Sequence, residues 1–258
     1  MDIKGAVAVV TGGGSGIGAA LARRFAADGA QAVVVVDRNA EAAAAVAVEI
    51  GATSVGVDVT DAAAVSALVE QTIADHGRID LFCSNAGITT GVLLDDPDDL
   101  WHTAFEVNLM SHVYAARAVI PHMLAAGHGY LLNTASAAGL LTSPGDAPYA
   151  VTKHGAVALA EWLSVTYGSR GIGVSVLCPM GVATPLLMDP LAAGEPGAQA
   201  VAASGEIISA DQVAAVVAAA LVNETFLILP HPEVGTFWAQ KASDPDRWLA
   251  GVRRLISR

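Results

Sequence analysis

The chain is poor in positive charge. Among its 258 residues Lys and Arg number 13 and Asp and Glu number 25, which gives a formal net charge of -12 at pH 7. Affinity for nucleic acid comes largely from clustered Lys and Arg, and the sequence contains no basic run. We therefore expect no nucleic-acid partner.

Cysteine is scarce as well. Cys83 and Cys178 are the two cysteines, and each lies within an apolar, strand-like run. Isolated cysteines in such runs are typical of buried, reduced thiols rather than of a disulfide or a metal site. The histidines show no metal-ligand spacing with cysteines or carboxylates. We expect no bound metal and a reducing compartment.

Long apolar runs are missing, although the mean hydropathy is +0.52. No uninterrupted apolar run approaches the ~18 residues that a membrane-spanning helix needs. The first apolar run is also too short for a signal peptide. These two observations predict a cytoplasmic protein without a membrane partner.

Short β-branched runs alternate with longer alanine-rich segments. Strands are predicted at 6–10, 32–36, 53–59, 80–85, 129–136, 173–179 and 226–230, and helices at 16–28, 40–50, 61–76, 98–125, 148–168 and 209–222. Parallel strands need long crossovers, and this alternation supplies helices for them. The sequence therefore predicts one α/β domain over 1–258, a doubly wound Rossmann-type fold with a seven-stranded parallel sheet flanked by helices.

Residues 185–207 interrupt this alternation, because they contain three prolines and little periodicity. A loop of this length inside a compact domain is uncommon unless it is a lid or a binding loop. We expect a substrate loop here, with a variable surface loop as the alternative. Ser209 and Gln212 have the spacing of a capping box, which predicts that regular helix resumes there.

A glycine-rich turn, TGGGSGIG, joins the first predicted strand to the first predicted helix. Glycines allow the backbone to approach a pyrophosphate, and the helix N-terminus favours its negative charge. The spacing Gly-x-x-x-Gly-x-Gly differs from the commonest dinucleotide turn, and the Lys-Ser or Lys-Thr ending of an ATPase P-loop is missing. A tight turn without a ligand is the alternative. The predicted cofactor contacts in this turn are Gly12, Ser15, Gly16, Ile17 and Gly18.

Asp37 ends the second predicted strand, 19 residues after Gly18. A carboxylate there would accept hydrogen bonds from the adenosine ribose and repel a 2′-phosphate, which favours NAD over NADP. Arg38 is the opposing observation, because its guanidinium could hold that phosphate. Asp58 and Val59, at the predicted end of the third strand, are candidate adenine contacts, and a solvated carboxylate is the alternative for Asp58.

Five motifs occur in order along the chain. They are TGGGSGIG, SNAG at 84–87, Asn108 in FEVNLM, Ser136, and YAVTK at 149–153. Together they resemble the short-chain dehydrogenase/reductase family, and the resemblance runs from residue 5 to about residue 184. It implies an oxidoreductase that moves a hydride between nicotinamide and a secondary alcohol or ketone.

The resemblance also implies roles for individual residues. Tyr149 would be the general base in alcohol oxidation and the acid in ketone reduction, and Ser136 would hold the substrate oxygen. Lys153 would contact the cofactor ribose, and Asn108 would anchor a water that relays the proton. Each residue also has a structural alternative. Tyr149 could cap a helix start and Lys153 could be a solvated charge. Ser136 could be a turn hydroxyl and Asn108 could mark a helix kink. The further cofactor contacts implied are Asn85, Ala86, Gly87, Pro179, Val182 and Thr184, with Tyr149 and Lys153.

Lys153 has an effect that can be calculated. A free tyrosine has a pKa of about 10, so about one in a thousand is ionised at pH 7. An ammonium at ~5 Å, in an effective dielectric of ~20, favours the phenolate by roughly 3 kcal/mol, or about two pKa units. We expect Lys153 to lower the pKa of Tyr149 by that amount, and the positive charge of an oxidised nicotinamide to lower it further.

The chain departs from the family at Met180, which follows Pro179 where the family usually has glycine. A methionine there would narrow the substrate pocket or make it adaptable. Residues of the same apolar type predict a largely apolar substrate pocket around it. They are Leu186, Leu187, Met188 and Trp238.

Other functions remain open at this point. A non-catalytic nucleotide-binding sensor or scaffold could use the same fold, because fold alone does not prove activity. A methyltransferase would leave Ser136, Tyr149 and Lys153 without a purpose. The family resemblance further implies a homo-oligomer, a dimer or a tetramer, formed through the helices at 98–125 and 148–168.

Overall fold

Seven parallel strands form the centre of the fold. They are β1 Val7–Thr11, β2 Ala32–Asp37, β3 Thr53–Gly56, β4 Leu81–Ser84, β5 Gly129–Thr134, β6 Ile172–Leu177 and β7 Leu227–Ile228. The computed structural model describes residues 1–256, with side chains as far as Arg254, and orders the strands β3-β2-β1-β4-β5-β6-β7. Every neighbouring pair is parallel. The predicted α/β fold with a seven-stranded parallel sheet is confirmed.

Helices connect these strands. They are α1 Gly16–Ala27, α2 Ala40–Ile50, α3 Ala62–His76, α4 Asp98–Phe105, α5 Ser111–Ala126, α6 Ala147–Tyr167, α7 Pro185–Ala192, α8 Pro196–Ser204, α9 Ala210–Val222, α10 Glu233–Ser243 and α11 Pro245–Ile256. The order of the strands reverses between β1 and β4, so a crevice opens at their carboxyl ends. Doubly wound sheets bind ligands at this position.

The sheet is buried on both faces. Val9 of β1 belongs to the hydrophobic core on one face, and Ala8 and Val10 belong to the core on the other. A strand buried on both faces needs apolar residues throughout, without alternation. This explains why β1 and β2 read as continuous runs of Val and Ala in the sequence.

The structure refines several predicted elements. The predicted helix at 98–125 is present as α4 and α5, which are joined by a π-helical segment, Glu106–Met110. The predicted strand at 53–59 ends at Gly56, so Asp58 and Val59 follow it. The predicted loop at 185–207 contains α7 and α8, and Pro185 and Pro196 each occupy the first turn of one of these helices. Proline is favoured in that position because the first N–H groups of a helix have no partner within it.

The C-terminal part confirms one predicted helix start and contains two further helices. The capping box at the start of α9 is confirmed, since Ser209 and Gln212 exchange both of its hydrogen bonds. Both cysteines are free and buried, as expected. Helices α10 and α11 were not predicted.

Among residues 1–256, no helix combines the length and the apolar character needed to cross a bilayer. Within the same range, no three His, Cys, Asp or Glu side chains form a metal-binding group.

Candidate active site

A first cavity, of about 750 Å³, opens at the carboxyl ends of the strands. It runs from the glycine-rich turn to the start of α6, and most of the residues predicted to bind cofactor or substrate or to take part in catalysis line it. These are Gly12, Ser15, Gly16, Ile17, Asp37, Arg38, Asp58, Val59, Asn85, Ala86, Gly87, Ser136, Tyr149, Lys153, Pro179, Met180, Val182 and Thr184. Two predicted residues, Gly18 and Asn108, do not line it.

The glycine-rich turn has no space for side chains. Gly12 has a φ of +64°, and a Cβ on it would lie 2.9 Å from the Cα of Ala86. A Cβ on Gly18 would collide with the carbonyl oxygen of Gly12. Gly18 therefore allows α1 to pack closely against the turn instead of lining the cavity, and the turn presents bare backbone at the start of α1. This cradle fits the pyrophosphate of a dinucleotide.

Acidic side chains stand at the far end of the cavity. Asp37 accepts hydrogen bonds from the backbone N–H groups of Gly14, at 3.0 Å, and Asn39, at 2.9 Å. Asp58 accepts hydrogen bonds from the N–H and hydroxyl of Thr60, which lower the pKa of its carboxyl, and the charge of Arg38 lowers it further. Arg38 therefore stands near a carboxylate, which offsets part of its attraction for a phosphate.

Tyr149, Lys153 and Ser136 meet at the opposite end. Tyr149 and Lys153 lie one helical turn apart on α6, where residues four apart share a face. The Nζ of Lys153 donates a hydrogen bond to the carbonyl oxygen of Thr134 at 3.0 Å and lies 5.6 Å from the centroid of the Tyr149 ring. Ser136 follows β5 and donates a hydrogen bond to the carbonyl oxygen of Pro179 at 3.4 Å. The three predicted residues thus share one corner of the cavity.

The expected lowering of the Tyr149 pKa was wrong. Burial raises the pKa of the phenol to about 12, a hydrogen bond with Ser136 opposes this only in part, and the charge of Asp146 raises it further. Burial also lowers the pKa of Lys153 to about 8. Desolvation disfavours the charged form of both groups. For the phenol this cost exceeds the Coulomb attraction that a nearby ammonium offers to a phenolate.

Asn108 lies in the π-helical segment, behind the corner formed by Ser136, Tyr149 and Lys153, and is fully buried. Its side-chain oxygen accepts a hydrogen bond from the N–H of Ile88 at 2.8 Å, and its amide nitrogen donates to the carbonyl oxygen of Ile88 at 2.9 Å. The amide also donates to the hydroxyl of Thr152 at 3.3 Å. These bonds fix the backbone that follows Gly87. The proposed anchoring of a water by Asn108 stays a prediction.

Sequence reasoning missed Asp146, the N-cap of α6. Its buried carboxylate accepts hydrogen bonds from the N–H groups of Tyr149, Thr90 and Gly91 and from the hydroxyl of Thr90, at 2.7 to 3.0 Å. It therefore joins α6 to the loop after β4. An Asp two residues before a proline at the start of a helix is an N-cap signal that the sequence does contain, in Asp146 and Pro148.

A second cavity, of about 1210 Å³, adjoins the first. Ser136, Tyr149 and Met180 line both cavities, so the corner formed by Ser136, Tyr149 and Lys153 lies between them. Helices α7, α8, α10 and α11 supply much of its wall, which includes Leu186 and Leu187, and the loop after β4 and the segment before α6 supply the rest. Met188 and Trp238, predicted to line the substrate pocket, do not line this cavity. Phe237 and Trp248 supply its aromatic surface instead.

The family model described as "short chain dehydrogenase" matches residues 6–195 of the chain. The 1-deoxy-11-beta-hydroxypentalenate dehydrogenase of Streptomyces avermitilis is 36% identical over 259 residues, which cover 97% of this chain and 93% of the relative. The NAD(+)-dependent 2-dehydro-3-deoxy-L-rhamnonate dehydrogenase of a Sphingomonas strain is 36% identical, over 71% of this chain and 74% of the relative.

A comparison with solved structures finds a similar fold. A crystal structure of a short chain dehydrogenase/reductase from Burkholderia phymatum, in complex with NAD, matches with a TM-score of 0.86 at 30% sequence identity. The match covers 95% of this chain and 96% of that one. The sheet, its flanking helices and the crevice at the carboxyl ends of the strands therefore have a close counterpart that binds a nicotinamide dinucleotide.

Proposed function

The chain belongs to the short-chain dehydrogenase/reductase family, oxidoreductases that act on CH–OH groups, and from this premise we propose that it is an NAD-dependent dehydrogenase of a largely apolar secondary alcohol or ketone. One observation carries the proposal. Ser136 and Tyr149 line both cavities, so a substrate in the second cavity can reach a dinucleotide in the first at these two side chains.

Three side chains would perform the proton chemistry. The hydroxyl of Ser136 holds the substrate oxygen, and the phenol of Tyr149 takes its proton during oxidation or supplies one during reduction. Lys153 places a positive charge beside the phenol and reaches towards the cofactor ribose. When bound, NAD supplies the hydride acceptor, and its reduced form supplies the donor.

The protonation states support a base that depends on the cofactor. With a pKa of about 12 the phenol of Tyr149 stays neutral at pH 7. Lys153, with a pKa of about 8, still carries its charge in most molecules at that pH. An additional positive charge in the first cavity would favour the phenolate. We therefore expect Tyr149 to act as a base in the complex with oxidised cofactor, and Asn108 to support the proton relay behind it.

The choice of NAD over NADP is supported by Asp37. Each of its oxygens already accepts one backbone N–H, and a carboxylate has further lone pairs for ribose hydroxyls. A 2′-phosphate would meet this negative charge at close range. The Sphingomonas relative is named for NAD(+), and the Burkholderia structure holds NAD.

We further propose a homo-oligomer, a dimer or a tetramer. Helix α6 exposes Val151, Trp162 and Val165, and α4 exposes Leu100, so these two helices present apolar surface next to each other. A monomeric mass by light scattering would contradict this. We also propose that residues 1–258 form one catalytic domain and that the protein works in the cytoplasm, where its buried thiols stay reduced.

A screen of secondary alcohols with NAD, followed by the absorbance of reduced nicotinamide, tests the activity. Calorimetric titration with NAD, NADP and S-adenosylmethionine tests the cofactor in the same preparation. Turnover of at least one alcohol, with NAD bound more tightly than NADP, supports the proposal. Binding of NAD without turnover of any alcohol or reduction of any ketone would favour a nucleotide sensor, and binding of S-adenosylmethionine alone would favour a methyltransferase.

A further inference from the structure

His231 is a buried side chain for which the catalytic scheme gives no role. It follows β7 and is only 2% exposed. Its Nδ1 accepts a hydrogen bond from the backbone N–H of Met180 at 3.1 Å. Its Nε2 donates to the carbonyl oxygens of Gly181, at 3.1 Å, and Glu206, at 3.2 Å. Because a backbone N–H can only donate and a carbonyl can only accept, these partners require the neutral tautomer with its proton on Nε2.

The three backbone partners lie at both ends of the α7–α8 segment. Met180 and Gly181 precede this segment, and Glu206 follows it. Neighbouring hydrogen bonds join the same two ends, since Ile208 donates to Gly181 at 3.0 Å and accepts from Ala183 at 2.8 Å. The carbonyl oxygen of His231 also accepts the N–H of Val234, in the first turn of α10. The His231 side chain therefore connects the two ends of the α7–α8 segment, and its backbone carbonyl connects them to the start of α10.

Met180 lies between the two cavities and lines both of them. A Cβ on Gly205 would collide with the terminal methyl of Met180, so the methionine side chain packs directly against the backbone at the end of α8. The backbone of Met180 is thus held by His231, and its side chain is held by Gly205. A methionine is otherwise flexible and adapts to irregular space, so these two contacts give it a defined place.

We propose that His231 is a positioning residue, which fixes Met180 at the junction of the two cavities and fastens both ends of the α7–α8 segment over the substrate. This inference rests on the proposed function, because it assigns the second cavity to the substrate. His231 acts through the backbone of Met180 and Gly181, and its effect is on the fit of the substrate rather than on the proton transfer at Tyr149.

The test compares two substitutions at this position. His231→Phe keeps a ring of similar size but removes the donor and the acceptor, so the part-buried Met180 N–H and Glu206 carbonyl lose this hydrogen-bond partner. His231→Gln keeps one donor and one acceptor on a flexible side chain. The matched control is Tyr130→Phe, which removes a buried hydrogen bond of 2.7 Å to Ser175 within the sheet, away from the Met180 loop.

Amide hydrogen exchange gives the first readout and requires no substrate. In His231→Phe we expect exchange in peptides covering 180–184 and 206–208 to accelerate by about tenfold or more, because local opening becomes easier. His231→Gln should restore most of the protection, and Tyr130→Phe should leave these peptides unchanged. Unchanged exchange in His231→Phe, or equal acceleration in Tyr130→Phe, overturns the proposal. If His231→Phe does not fold, His231→Asn, whose side chain is too short to span both sides, replaces it.

Steady-state kinetics give the second readout, with the alcohol that the screen identifies. We expect His231→Phe to raise KM for the alcohol about tenfold and to change kcat much less, with partial rescue by His231→Gln. In a Met180→Ala background the same substitution should add little, because the two residues act as one unit. Full additivity, or loss of kcat alone, contradicts the inference. If the wild-type chain neither oxidises an alcohol nor reduces a ketone, the proposed function fails, while the exchange experiment still decides the role of His231.

Discussion

The ammonium nitrogen of Lys153 lies 5.6 Å from the centroid of the Tyr149 ring, and it is anchored by a hydrogen bond to the carbonyl oxygen of Thr134. Burial affects the two groups in opposite directions, since it raises the pKa of the phenol to about 12 and lowers the pKa of the lysine to about 8. The structure therefore holds the pair close together but mostly as neutral phenol and ammonium at pH 7. If Tyr149 is the base that we propose, its ionisation near pH 7 needs an additional positive charge.

Tyr149→Phe removes the proton donor and acceptor and keeps the ring. We expect turnover to fall by about 10³-fold or more, because general acid–base catalysis is lost. The affinity for NAD should stay within about twofold, since a phenylalanine ring still closes the cavity wall. Single-turnover absorbance and calorimetric titration measure these two effects. Tyr130→Phe, a buried phenol outside the site, should keep full activity, and a Tyr149→Phe variant that keeps its rate would refute the mechanism.

Lys153→Met tests the cost of burying the ammonium. The pKa of Lys153 is about 8 in the native state, against 10.5 for an ordinary lysine. A lowered lysine pKa means that the native state binds the proton less well than the unfolded state does. The free-energy cost of burying the ammonium is therefore fully present below pH 8 and disappears as the pH rises through 10.5. Relative to Lys153→Met, the wild-type chain should therefore gain about 2 kcal/mol between pH 7 and pH 10.

Urea unfolding of both proteins at several pH values measures this difference. Comparison with the variant removes the contributions of titrating groups that Lys153 does not touch, and in the native state the neighbouring Tyr149, His112 and Cys178 titrate outside the range from pH 7 to pH 10. A difference that stays constant from pH 7 to pH 10 would mean that the native lysine titrates normally, and it would remove the electrostatic argument for the pair.

Much of the fold and of the site could be predicted from the sequence. The strands β1 and β2 were recognisable because burial on both faces requires continuous Val and Ala. The glycine-rich turn, Asp37, Ser136, Tyr149 and Lys153 are separated along the chain, yet their order along an alternating α/β pattern places them at one edge of a parallel sheet. This edge follows from topology alone, because the carboxyl ends of parallel strands lie together.

Other features depend on contacts that a sequence pattern does not contain. Pro185 and Pro196 suggested a loop, but each begins a helix. The pKa of Tyr149 depends on burial as well as on the distance to Lys153, and only the packed structure gives the burial. The aromatic surface of the second cavity comes from Phe237 and Trp248 rather than Trp238. Packing decides which side of the short helix α10 lines the cavity, and a sequence pattern does not contain that packing.

Asp37→Ser tests the preference for NAD. Loss of the carboxylate removes the repulsion of a 2′-phosphate and an acceptor for the ribose hydroxyls. We expect the ratio of kcat/KM with NAD to kcat/KM with NADP to fall by roughly tenfold or more. Glu41→Gln, which removes a nearby exposed charge on α2, is the control for general electrostatics. An equal change in both variants would show that net charge, and not Asp37, sets the preference.

Asp146→Ala tests the hydrogen bonds that connect α6 to the loop after β4. Its buried carboxylate accepts four hydrogen bonds, and their donors would lose their partner. We expect the free energy of unfolding to fall by about 3 kcal/mol. Asp61→Ala is the matched control, since Asp61 caps α3 from an exposed position and should cost only about 1 kcal/mol.

The same pair of variants separates stability from catalysis. Because Asp146 binds the N–H of Tyr149, its loss should lower kcat/KM in the folded protein, measured well below the unfolding temperature, whereas Asp61→Ala should not. Asp146→Asn keeps one acceptor oxygen and should lie between wild type and Asp146→Ala in both measurements. Equal kcat/KM for Asp146→Ala and Asp61→Ala would mean that the position of Tyr149 is fixed by the packing of α6 and does not depend on its cap.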